Sequence, residues 1–146
     1  MTKIIGKCNG TIFMVNSFYN DELKVGDIPS YITKLITGSC YNKKLNSNVI
    51  PDSVRELILG KYFNQSIDKT NLPSSLFVLD CGTHFDKSLT DIPESIYFVK
   101  VHSNCHIALN SIPITVNKLK IVGRMYKQVN LSPSLKKNNC RKKKKT

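Results

Sequence analysis

Residues 50–71 read IPDSVRELILGKYFNQSIDKTN and residues 72–91 read LPSSLFVLDCGTHFDKSLTD, and the apolar positions of the two stretches superimpose. Each opens on an aliphatic residue followed by Pro. That pair recurs at Ile28-Pro29, Ile50-Pro51, Leu72-Pro73, Ile92-Pro93 and Ile112-Pro113, at spacings of 22, 22, 20 and 20 residues. An L-x-x-L-x-L core follows each Pro. Beyond it stands an aromatic followed by Asn or Asp, at Tyr19-Asn20, Tyr41-Asn42, Phe63-Asn64 and Phe85-Asp86. Four residues past the aromatic an aliphatic returns: Leu23, Leu45, Ile67, Leu89, Leu109 and Val129. The change from 22 to 20 residues falls between that aliphatic and the next aliphatic-Pro pair, which places it in a connecting loop, where length changes are tolerated.

A unit this short holds one strand and a return path, so it cannot bury its apolar side alone and must stack on its neighbours. The L-x-L segment has the alternation of a strand with one buried face. Chain direction repeats with each turn, so the strands should pair in parallel. The expected fold is a leucine-rich-repeat-like solenoid: a parallel sheet of about six short strands, with irregular or short-helical return segments. Residues 1–11 are expected to form an N-terminal cap, 12–135 the solenoid of about six turns, and 136–146 a disordered basic tail.

The recurrent residues each have a mechanical reading. Pro51, Pro73 and Pro93 lack an N–H and fix φ, which suits a corner outside the ladder. Gly38, Gly60 and Gly82 follow the strand at one phase, where a bend with positive φ is expected. Asn20, Asn42 and Asn64 carry both donor and acceptor, as needed to satisfy backbone groups left unpaired where the chain turns inward.

Phe63-Asn64-Gln65-Ser66-Ile67 followed by Leu72-Pro73-Ser74-Ser75-Leu76 resembles the signature of the FNIP-repeat proteins, a leucine-rich-repeat-like family of giant DNA viruses and social amoebae. The resemblance covers about residues 12–133 and implies a repeat solenoid. In many members an F-box precedes the repeats, a role not carried over to a chain with no room for one. After Phe85 the aromatic-Asn pair gives way to Cys105-His106 and Met125-Tyr126, so the last two turns read as degenerate repeats or as a cap.

The chain has 146 residues, 40% hydrophobic and 22% charged, with a formal net charge of +12. Its longest uncharged apolar stretch, Thr11 to Val15, is far short of a membrane span. Lys7, Asn9 and Gly10 interrupt what a secretory signal would need, so the mature chain is expected to start at Met1 and to lie inside a cell, cytoplasmic or nuclear. The five cysteines show no tight pairing and read as thiols.

Cys81-x-x-His84 and His102-x-x-Cys105 have the look of a zinc site. Repeat phase favours another reading, because Cys81 replaces an inward leucine and Cys105 an inward aromatic. No metal and no cofactor is therefore expected. A Cys-His nucleophile would need a third, orienting group and a pocket, neither of which is visible, so no catalytic residue is assigned.

The middle residue of each L-x-L strand points away from the core, giving an exposed column Met14, Ile36, Ile58, Asp80, Lys100 and Lys120. The column before it reads Ile12, Lys34, Glu56, Val78, Phe98 and Lys118. Met14, Ile36 and Ile58 should be contiguous, and such a patch marks a partner surface. The expected function is a non-catalytic protein-interaction module using Met14, Ile36, Ile58, Val78, Asp80, Phe98, Lys100 and Lys120, its protein partner unidentified. The alternative is a nucleic-acid-associated protein using the tail residues Arg141, Lys142, Lys143, Lys144 and Lys145, which also suit a nuclear address, an anionic membrane surface or a solubilising end.

Overall fold

The computed structural model of the protein describes residues 5–102 and 110–123. Seven strands form one sheet in chain order: β1 (Gly6–Asn9), β2 (Ile12–Val15), β3 (Lys34–Ile36), β4 (Glu56–Ile58), β5 (Val78–Asp80), β6 (Phe98–His102) and β7 (Lys118–Val122). From β2 to β7 every pairing is parallel. The strand not foreseen is β1, which folds back antiparallel on β2 through Gly10-Thr11 and so covers an edge that would otherwise present unpaired N–H and C=O groups. Gly10 takes φ +59°, as the first position of such a two-residue turn requires.

The register is one residue per turn without slippage. Phe13, Leu35, Leu57, Leu79, Val99 and Leu119 stand opposite one another along the sheet and face inward. Leu35, Leu57, Leu79 and Val99 are fully buried. The return paths between residues 16 and 97 are successions of tight turns. At each Pro corner the N–H three residues on donates to the Pro carbonyl, as from Val54 to Pro51 at 3.0 Å and from Leu76 to Pro73 at 3.1 Å. Ser53, Ser75 and Ser95 then donate their hydroxyls to carbonyls of the preceding turn, at 2.6, 3.0 and 2.6 Å.

Tyr19, Tyr41, Phe63 and Phe85 stack in an interior column with centroids 6.4, 6.2 and 6.4 Å apart and planes within 10° of parallel. Beside it runs a ladder of side-chain amides. The Asn20 Oδ1 accepts from the Asn42 N–H at 2.8 Å, Asn42 from Asn64 at 2.9 Å, and Asn64 from the Asp86 N–H at 3.1 Å. Two residues earlier the backbone bridges the turns itself, as from the Tyr62 N–H to the Ser39 carbonyl at 3.1 Å, and the Asn side chain supplies the acceptor for the next inward N–H. One polar atom in the aromatic column is orphaned: the Tyr41 hydroxyl lies near the Leu23 backbone but closes no hydrogen bond of ordinary geometry. Burial pushes that phenol up to about 12.

The glycine column corrects an expectation. Positive φ among the described glycines occurs at Gly10, Gly26 and Gly123, not at Gly38, Gly60 or Gly82. What these three supply is closeness. A Cβ on Gly60 would lie 2.0 Å from the Gly38 carbonyl oxygen, and one on Gly82 would lie 1.9 Å from that of Gly60. Left-handed backbone instead falls at Gly26 and Asn48, three residues after Leu23 and Leu45, in the longer connecting loop. At the equivalent Thr70 the loop is held differently: the Asp68 carboxylate accepts from both the Thr70 hydroxyl and its N–H, which lowers the Asp68 pKa. The two-residue shortening lies after Leu89, where the Leu89 N–H donates to Ser111 Oγ at 2.6 Å.

Candidate interaction surface

Outward-facing residues form the two expected columns, since cross-strand register places Met14, Ile36, Ile58, Asp80, Lys100 and Lys120 side by side. They are less open than the alternation implies. Met14, Ile36, Ile58, Val78, Asp80, Phe98 and Lys100 are half-buried and Lys120 is exposed. Strand spacing of about 4.8 Å lets each side chain shade its neighbours.

The face changes character along its length. Over β2–β4 it is apolar, with Met14, Ile36 and Ile58 contiguous and one flanking ion pair, Lys34 to Glu56 at 3.0 Å. Over β5–β7 it is charged and aromatic. Lys100 Nζ donates to Asp80 Oδ2 at 2.8 Å, His102 Nε2 stands 3.8 Å from the other carboxylate oxygen, and Lys118 Nζ sits 5.5 Å from the centre of the Phe98 ring.

Both borders of the sheet carry aromatics at positions that the repeat pattern leaves variable. Phe77 and Tyr97, immediately before β5 and β6, stack at 5.1 Å with planes 3° apart while remaining 49% and 43% exposed. At the other border Tyr62 stacks on His84 at 4.9 Å, and Phe18 is open to solvent. The signal available in sequence was an aromatic recurring at one variable phase, Phe77 and Tyr97 being 20 residues apart.

Cys81 is fully buried, whereas His84 is exposed with its Nδ1 2.9 Å from the Lys61 carbonyl, so the two point to opposite sides of the wall. Among the described residues no three His, Cys, Asp or Glu side chains gather to hold a metal. Cys105, the last two aromatic-position pairs and the tail residues Arg141 to Lys145 lie outside the described residues. Among the described residues no helix is long and apolar enough to cross a membrane.

Against known families, the stretches 19–62 and 41–84 each match the FNIP Repeat model, two overlapping copies set one 22-residue period apart. Residues 19–84 carry FNIP repeats. The chain's solenoid is also similar to the crystal structure of the giant-virus protein CroV588, described as a novel circular LRR protein, at 28% identity and a TM-score of 0.61. The match covers 73% of this chain and 16% of that one, so this chain spans about a sixth of CroV588. No curated protein matches the sequence. The FNIP motif residues have visible mechanical roles here: the aromatic fills the axial column, the Asn bridges turns, the aliphatic seals the next side and the Pro makes the corner.

Proposed function

We propose that this FNIP-repeat chain is a non-catalytic module that binds another protein along the outer face of its sheet. The observation that carries the reading is the contiguous run Met14, Ile36 and Ile58 on three neighbouring strands. These side chains point away from a core that is complete without them, so their burial against one another leaves an apolar strip for a partner. Val78, Asp80, Phe98, Lys100 and Lys120 extend the strip and add charges that fix orientation more than strength.

Ile36→Asp tests it. Asp at position 58 would face Asp80 directly and add repulsion of its own, whereas position 36 faces Met14 and Ile58. Affinity capture from the expressing cell should lose the protein recovered with the wild type, while the melting temperature moves by no more than a few degrees. Unchanged capture with Ile36→Asp would exclude this face as the docking site.

A further inference from the structure

The chain is electrically lopsided. All ten acids lie at or before Glu94, where they are matched by ten Lys and Arg; the 52 residues from Ser95 onward hold the other twelve cations and no acid. In the described part of that half, Lys118 and Lys120 are exposed on β7. Lys100 is engaged by Asp80, but Lys118 and Lys120 have no acid within ion-pair distance among the described residues.

Aromatic surface lies beside these cations. Phe77 and Tyr97 form a pile along the solenoid axis, and both backbones are held by the ladder. The Phe77 carbonyl accepts from the Tyr97 and Phe98 N–H groups at 3.0 and 3.2 Å, and the Tyr97 carbonyl from Asn117 and Lys118 at 3.0 and 2.9 Å. The next residue in the file is Asn117, whose amide donates to the Thr115 carbonyl at 3.1 Å. That leaves the far face of the Tyr97 ring without an aromatic neighbour among the described residues. On the other side of the pile stands Arg55, exposed and in the same file.

We infer that Arg55, Phe77, Tyr97, Phe98, Lys118 and Lys120 form a binding surface for single-stranded nucleic acid. A base extends the Phe77–Tyr97 pile over Asn117, and the phosphates on either side of it meet Lys118, Lys120 and Arg55. The pairing of preset aromatic faces with a cationic border is what sequence-tolerant single-strand binders use. An acidic peptide would satisfy the cations but make no use of the open ring face. This surface shares Phe98 and Lys120 with the far end of the protein-docking face but none of the β2–β4 apolar run, and it does not depend on that run having a partner.

The test is photocrosslinking of the full chain to a thymidine 20-mer carrying 5-iododeoxyuridine, with the adduct mapped by mass spectrometry. The crosslink should fall on Tyr97 or Phe77. Tyr97→Leu should weaken binding roughly ten-fold with the salt slope unchanged, and Tyr97→Phe should restore it. Replacing Lys118 and Lys120 by Ser should flatten the log affinity versus log salt slope by about 0.7 for each phosphate no longer neutralised. Ile36→Asp should leave oligonucleotide affinity as it was, which separates this surface from the protein-docking strip. Crosslinks confined to residues after Gly123, or duplex DNA binding as tightly as the single strand, would overturn the assignment and leave only attraction by net charge.

Discussion

The interior of the coil and its outer face are built from the same strands, yet they obey different rules. Inside, each turn repeats the last: an apolar residue at the strand, an aliphatic and a Pro corner, with an aromatic in the turns from Tyr19 to Phe85. Outside, the same register carries methionine, isoleucine, aspartate and lysine in succession. The difference teaches that stacking constrains only the side chains that another turn must close over. Repetition marks what holds the fold, and departure from repetition marks what the fold is free to use.

That contrast breaks first at the aromatic column. Phe63 is fully buried between Tyr41 and Phe85, so Phe63→Ala should cost about 3–5 kcal/mol of unfolding free energy in denaturant titration. Truncations on the outer face at Ile36 should cost much less, and equal costs at the two sites would erase the distinction. Asn42→Ala comes next, at about 1–2 kcal/mol, because it strands the partly buried Asn64 N–H and removes the 3.0 Å bond from the Gln65 amide to Asn42 Oδ1, leaving that amide only its 3.2 Å bond to the Asn42 backbone carbonyl. The smallest effect belongs to the orphaned hydroxyl. Tyr41→Phe should change stability by less than about 1 kcal/mol near neutral pH, since that hydroxyl closes no hydrogen bond. Its signature is in alkali. The Tyr41 phenol is neutral in the fold up to about 12 but ionises near 10 when unfolded, so its contribution is whole below pH 10 and is lost as pH rises toward 12. The Phe variant should show a shallower loss of stability across that window.

Periodicity made the axis of the molecule legible. The L-x-L phase places Leu57, Leu79 and Val99 in one file, and the strand pairings do the same. The amide ladder was legible only as a need, since Asn20, Asn42 and Asn64 recur but the sequence does not say which N–H each accepts from. The glycines at positions 38, 60 and 82 read as bends in the sequence because a column of Gly has two physical causes, conformational freedom and lack of room, and spacing alone does not separate them. Backbone carbonyls about 2 Å from the missing Cβ atoms do.

The sequence by itself determined the repeat, its phase and therefore which side chains share the interior, because a mismatch in any file would leave apolar surface uncovered on every turn. Tertiary structure decided what depends on neighbours 20 or 22 residues away in the chain. Only there did β1 turn back to cover the first edge, the outer columns shade one another to half burial, and Phe77 find Tyr97. Residues at the variable positions are not repeated through the coil, since nothing needs to close over them; the 20-residue spacing of Phe77 and Tyr97 marks a shared phase, and only the stacked turns bring the two rings face to face.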